Sequence, residues 1–218
     1  MPIFFQHRSV DSQILVWKVE EPIDFFQRPL PAFDDRSLPT HPLKRLQFLA
    51  GRYLLTQLHP DFPIDRIQVA QTGRPYVDPP TTQFSISHAG SYIAAMIHPH
   101  SPVGIDVEPI ANRASRVRHK FLHEREFHLL RALPSVGHSP DELNCTMGWT
   151  IKEAVFKAHQ STGVDFIKDL PIEQVDFIQE GWSVQVGGKG RGMSVQVRII
   201  GPLCMAWAVG EQPGKDRL

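Results

Sequence analysis

Two short stretches carry side chains whose types and spacing could do chemistry together. In Val103-Gly104-Ile105-Asp106-Val107-Glu108, three β-branched residues alternate with a glycine and two acids. That alternation predicts a short β-strand, and residues two apart on a strand face the same way, so Asp106 and Glu108 present two carboxylates on one face. Downstream, Trp149-Thr150-Ile151-Lys152-Glu153-Ala154-Val155-Phe156-Lys157 reads as a helix, on which Glu153 and Lys157 are neighbours at i and i+4. If strand and helix pack together, three carboxylates and a lysine serve one site. Such a set suits a magnesium ion carrying a phosphate ester, because Mg²⁺ takes hard oxygen ligands and shares its shell with substrate phosphates.

Each half also has a plainer reading. An Asp-x-Glu pair on a strand is more often the solvated face of an edge strand, and a Lys-Glu-x-x-x-Lys helix is more often a surface helix with a weak ion pair. The helical wheel argues otherwise. Ile151, Ala154, Val155 and Ala158 form a core stripe, while Trp149, Lys152, Glu153, Phe156 and Lys157 share the other side. A solvated face seldom carries large aromatic residues among its charges, so the pattern predicts a helix that lines a cleft.

The elements that must position these residues follow from periodicity and turn chemistry. A first strand is expected over 14–19, then an irregular, proline- and phenylalanine-rich segment over 21–40, then a helix over 42–58. On that helix Arg45 and Arg52 stand seven apart, nearly two turns, and align on one face ~10 Å apart. Strands are expected over 67–70, 84–87, 92–97 and 103–107, and two helices over 115–121 and 124–133. The main helix opens at Ser139-Pro140-Asp141-Glu142, where Ser139 as N-cap, Pro140 at N1 and Glu142 at N3 form a capping-box pattern. Gly163 is its natural stop. Four strands follow over 175–179, 182–186, 193–200 and 203–209, and the tail past Gly210 is expected to fray. The glycine-rich stretch 187–192 joins two strands and lacks the terminal Gly-Lys-Ser/Thr of a phosphate loop, so it reads as a hairpin turn. His98 and His100 have no third ligand at metal spacing and read as a proline-flanked hairpin loop. The order helix-then-strands occurs twice, which divides the chain into an N-terminal α+β half, 1–110, and a C-terminal α+β half, 111–218. Asp106 then ends the first half, and Glu153 lies on the helix that opens the second.

Composition narrows the function classes. The 218 residues contain 23 Lys and Arg against 23 Asp and Glu, so no global basic field draws the chain to nucleic acid or an anionic membrane. Only Cys145 and Cys204 are present, which predicts two reduced, buried thiols rather than a disulfide. No segment approaches a membrane span of ~20 apolar residues and the N-terminus lacks a signal-peptide pattern, so a cytoplasmic protein is expected.

Gly104-Ile105-Asp106-Val107-Glu108 followed, 43 positions on from Asp106, by Trp149-x-x-Lys152-Glu153-Ala154-x-x-Lys157 resembles the paired signature of the phosphopantetheinyl transferases. Three further segments resemble that family in the same order. They are Thr72-Gly73-Arg74-Pro75-Tyr76-Val77, Phe84-Ser85-Ile86-Ser87-His88-Ala89-Gly90 and Phe121-Leu122-His123-Glu124-Arg125-Glu126-Phe127. The resemblance runs from about Thr72 to Lys157. It implies the single-chain, Sfp-type class, in which two similar α+β halves pack with pseudo-twofold symmetry and the active site lies in the cleft between them.

The implied activity moves 4'-phosphopantetheine from coenzyme A to a serine of an apo acyl or peptidyl carrier protein, with 3',5'-ADP departing. By that resemblance Asp106, Glu108 and Glu153 would hold Mg²⁺ or Mn²⁺. Lys157 would bind a pyrophosphate oxygen, and Glu126 would take the serine proton directly or through water. Gly73, Arg74 and Pro75 would contact coenzyme A, although arginine stands where the family usually has lysine. Ser87 and His88 would hold its adenosine end, and Arg45 and Arg52 would suit its phosphates if they are not simply a solvated stripe. A monomer is expected, with no nucleic-acid or membrane partner. Two other classes fit less of the pattern: a non-catalytic carrier- or nucleotide-binding module, and a Mg²⁺-dependent phosphodiesterase built on the same acids.

Overall fold

In the computed structural model, which describes residues 3–34, 38–131, 138–159, 163–188 and 192–212, the chain divides between His100 and Ser101 into two units. The first runs β1 (Ile3–Arg8), β2 (Gln13–Lys18), α1 (Ile23–Gln27), α2 (Pro42–Leu58), β3 (Ile67–Val69), β4 (Pro75–Val77), β5 (Gln83–Ala89) and β6 (Tyr92–His98). β1, β2, β6 and β5 form an antiparallel sheet in that order, and β3 pairs with β4 alone. The central strands are apolar nearly throughout, from Ile14 to Trp17 and from Ile93 to Ile97, as strands buried on both faces must be. α2 begins with Pro42 at its first position, where the missing N–H costs nothing. Its Leu49, Leu54, Leu55 and Leu58 recur at helical spacing and pack with Leu15, Trp17, Ile93, Ala95 and Ile97. Each such buried side chain contributes about 1.5–3 kcal/mol.

The second unit runs β7 (Val103–Pro109), α3 (Arg113–Arg116), α4 (Glu124–Arg131), α5 (Pro140–His159), β8 (Ile172–Ile178), β9 (Gly181–Val186), β10 (Met193–Ile200) and β11 (Leu203–Val209). Its antiparallel sheet has the order β7-β11-β10-β9-β8. The long helix α5 lies on this sheet and is buried along most of its length through Leu143, Met147, Ile151, Ala154, Val155 and Ala158. The expected α+β class is therefore realised in each unit, a long helix on an antiparallel sheet. Among the described residues no helix is long and apolar enough to cross a membrane.

Several expectations need correction. The division lies at His100/Ser101 rather than near 110, because β7 hydrogen-bonds along its whole length to β11, from Val103 opposite Val209 to Pro109 opposite Leu203. The helix expected over 115–121 is the short α3 followed by a 3-10 turn over Arg118–Lys120. The segment 21–40 contains α1, whose Phe26 is fully buried beside Trp17 and Tyr53. β1 was not legible, since its hydrophobic run is short and its residues are mostly half-exposed. α5 opens where the capping pattern placed it, with the Leu143 N–H donating to the Ser139 carbonyl. Residues 189–191 of the glycine-rich hairpin and 213–218 of the tail lie outside the described residues.

One contact fixes how α5 meets the sheet. A Cβ placed on Gly104 would lie 1.9 Å from the Ala154 carbonyl oxygen and 2.6 Å from the Ala158 nitrogen. Strand and helix backbones touch there, and only glycine allows it. Gly104→Ala should therefore cost about 3 kcal/mol or more, a fall of about 6–12 °C in the midpoint of thermal unfolding for a chain of this size. A midpoint within a degree of the parent protein would contradict the contact.

Candidate active site

Below that contact, β7 and α5 mesh. Two strand residues span about 6.6 Å and four helical residues about 6 Å, so alternate strand side chains keep step with an i, i+4, i+8 stripe on the helix. The stripe is Trp149, Glu153 and Lys157, and the helix runs opposite to the strand. Lys157 Nζ reaches Asp106 Oδ1 at 2.7 Å and the Ile105 carbonyl at 3.1 Å. At the other end the Trp149 indole N–H donates to Glu108 Oε1 at 3.2 Å. β7 is an edge strand, yet Asp106 is only 4% exposed because the helix covers it. The solvated-edge reading of the Asp-x-Glu pair does not apply.

The three carboxyl groups feel one another. Glu153 is pushed up to about 7, first by burial and then by the Asp106 carboxylate, with Glu108 adding to the effect and Lys157 opposing it. Glu108 is also raised, by burial and by Asp106, against the pull of the Trp149 N–H, Arg113 and Lys157. Like charges held together in a half-buried site favour whatever positive species neutralises them. Six carboxylate oxygens form a hard donor set of the kind Mg²⁺ takes, so the residues fit that ion in chemistry. The arrangement is open: among the described residues no group of three His, Cys, Asp or Glu side chains is gathered closely enough to enclose a metal. All three acids and Lys157 belong to the second unit, so the expected split of Asp106 from Glu153 between halves is not observed. Behind them both cysteines are buried and free, as expected. The Cys204 thiol, opposite Glu108 on β11, is pushed up to about 12 by burial.

Glu126, the expected base, is placed differently. It is 3% exposed. Its Oε1 accepts from Lys152 Nζ at 2.6 Å and from the Ile172 N–H at 2.6 Å, and its Oε2 accepts from the His123 N–H at 2.5 Å. Both oxygens are committed to these donors and neither faces solvent. Lys152, read as part of the cleft face, is 0% exposed and also donates to the Phe166 carbonyl at 2.9 Å. Burial lowers the affinity of its ammonium for the proton, and Glu126 opposes that. A signal for this placement was present in the sequence. Gly148 lies one turn before Lys152, and a Cβ there would press on Leu122 and Leu130 at 2.9 and 3.2 Å, so a glycine inside the helix marked the face that meets α4. Beside this pair, Lys120, Phe121, Trp149 and Phe166 line an open surface depression of about 500 Å³.

The remaining candidates lie in the first unit. Gly73 takes φ +82° in the turn before β4, closed by the Gly73 N–H donating to the Ala70 carbonyl. Arg74 leaves that turn half-buried, its guanidinium lowered by desolvation and its Nη1 without a hydrogen-bond partner among the described residues. Pro75 starts β4. Ser87 is buried and His88 exposed, on opposite faces of β5, so the two are not presented together. Arg45 is half-exposed. Arg52 departs from expectation: it folds back over the Phe48 ring at 3.3 Å and donates to the Phe48 carbonyl at 3.3 Å. Burial lowers its guanidinium to about 10.

Residues 102–192 match the family model of the 4'-phosphopantetheinyl transferase superfamily. The chain is 34% identical over 116 residues to 4'-phosphopantetheinyl transferase gsp of Aneurinibacillus migulanus, which covers 51% of this chain and 45% of that protein. It is 33% identical over 132 residues to 4'-phosphopantetheinyl transferase AcpT of Escherichia coli O157:H7, covering 59% of this chain and 65% of that protein. The matches thus span about half and just under two thirds of these relatives. The matched region holds β7, α5 and every acidic residue of the meshed site, and it is there that the chain is similar to the 4'-phosphopantetheinyl transferases.

Proposed function

We propose that the protein transfers the 4'-phosphopantetheine group of coenzyme A to a serine hydroxyl of an apo carrier protein and releases 3',5'-ADP. The observation that carries this reading is the Asp106, Glu108, Glu153 and Lys157 cluster, held by the β7–α5 mesh inside the region that matches the family model. Both relatives are named 4'-phosphopantetheinyl transferases, which supports the reaction class.

The reaction joins the serine oxygen to the phosphorus bearing pantetheine and breaks that phosphorus's bond to the oxygen of the departing nucleotide. A pyrophosphate repels an incoming nucleophile, so its charge must be neutralised. Asp106, Glu108 and Glu153 would hold Mg²⁺, or Mn²⁺, which when bound supplies charge neutralisation at the phosphate oxygens. Lys157, now engaged with Asp106, is one turn from Glu153 and can turn to a phosphate oxygen as negative charge develops. The Trp149 N–H fixes one oxygen of Glu108 and leaves the other for the cation. Because both Glu126 oxygens are held, the serine proton passes to water. Within the first unit, Arg74 has a guanidinium N–H that lacks a partner within the described residues, and desolvated donors of that kind favour an anion. The family resemblance would add Arg45, Ser87, His88, Gly73 and Pro75 as coenzyme A contacts.

Two outcomes follow. Release of 3',5'-ADP in the presence of an apo carrier should stop in chelator and resume with Mg²⁺ or Mn²⁺. Asp106→Ala and Glu153→Gln should lose at least about 100-fold in turnover while staying folded, since losing one acid relieves repulsion among the rest. Full activity in Glu153→Gln would remove the cluster from the reaction. By calorimetry, coenzyme A should bind more tightly than its 3'-dephospho form. A lost charge-assisted contact costs ~1.5–3 kcal/mol, one to two decades in affinity. Equal affinities would rule out the first-unit cations as the 3'-phosphate site.

A further inference from the structure

The buried Glu126–Lys152 pair stands apart from the acidic cluster and joins four separate pieces of chain. Glu126 accepts from the His123 N–H at the start of α4 and from the Ile172 N–H at the start of β8. Lys152 sits in the middle of α5 and donates to the Phe166 carbonyl in the segment between α5 and β8. That segment's described residues, 163–171, form turns held by Asp165 but no strand or helix. It nevertheless supplies the Phe166 ring, which packs on Trp149 at 5.7 Å and on Phe156 at 5.7 Å. Trp149 in turn donates to Glu108. A continuous path therefore runs from the ion pair through Phe166 and the indole to a carboxylate of the candidate site.

We propose that Glu126 and Lys152 are positioning residues: their ion pair holds the Val164–Ile167 segment against Trp149 and so sets the indole N–H that orients Glu108. This rests on the transferase reading above for its effect on turnover, but not for its effect on the segment. A buried charged pair is an uneconomical way to stabilise a fold, since a well-packed apolar pair of similar size does as well. It is, however, a precise way to fix backbone groups. A carboxylate takes three donors here and an ammonium reaches a carbonyl no apolar side chain could hold. The same residue types at these places would suit a general base if Glu126 were open to substrate. Its burial and its committed oxygens separate the two roles.

The test uses the full chain with coenzyme A, Mg²⁺ and an apo carrier, in four forms: parent, Glu126→Gln, Lys152→Met and the double variant. Each single variant leaves a buried group without its partner. Each should lower the unfolding midpoint, speed amide exchange in 163–172 by about tenfold or more, and raise KM more than it lowers kcat. The double variant removes both charges and should recover most of the midpoint. It should keep kcat within about tenfold of the parent and retain the acid limb of the pH–rate profile. A folded double variant with kcat down by about 1,000-fold and no acid limb would make Glu126 the base and overturn the proposal. Unchanged exchange of 163–172 in Lys152→Met would overturn it equally. A parent protein that modifies no carrier would count against the transferase reading alone, and the exchange comparison would still decide whether the pair holds the segment.

Discussion

The site depends on the approach of β7 to α5 at Gly104. Without a side chain there, the strand lies against the backbone of Ala154 and Ala158. Every later contact is registered from that point. The next even-numbered strand residues, Asp106 and Glu108, must then face the helix, and the matched rise of two strand residues and one helical turn delivers them to Lys157 and Trp149 in order. An edge strand with an Asp-x-Glu pair would ordinarily be a solvated border. Covering it with a helix whose contacting positions are alanines converts it into the floor of a site.

That arrangement is electrostatically costly. Three acids share a half-buried space with one ammonium, and two of them hold protons more tightly than free carboxyls do. Frustration of this kind persists when the surrounding packing over-determines it, and it marks places where a protein handles charge rather than places where it gains stability. The second buried charge system is of the opposite sort. Glu126 and Lys152 satisfy each other and nearby backbone groups, and breaking such a pair costs about 3–5 kcal/mol. One cluster carries more negative than positive charge; the other is internally paired.

The sequence made the first system legible and left only Gly148 as a hint of the second. Asp106, Glu108, Glu153 and Lys157 were readable because strand alternation and helical spacing are local periodicities, and each residue's neighbours announce its face. α2 and the start of α5 were readable through proline and serine at their first positions. Lys152 and Glu126 were not, because a charged side chain on a helix looks solvated until its tertiary partner is known. Their pairing spans 26 residues and depends on α4 crossing at Gly148. The unit boundary was misplaced for the same reason: β7 follows β6 closely in sequence, but its hydrogen bonds go to β11, about a hundred residues on. Arg52 likewise looked aligned with Arg45 until Phe48 drew its guanidinium inward.

The measurement that reaches the central claim most directly is the mass of an apo carrier protein before and after incubation with this protein, coenzyme A and Mg²⁺. If the meshed acids and Lys157 perform phosphopantetheinyl transfer, the carrier gains the mass of one phosphopantetheine group. Fragmentation then places it on a serine, in an amount that matches the 3',5'-ADP released. A panel of apo acyl and peptidyl carriers that all keep their original mass, with the protein folded and coenzyme A bound, would contradict the account.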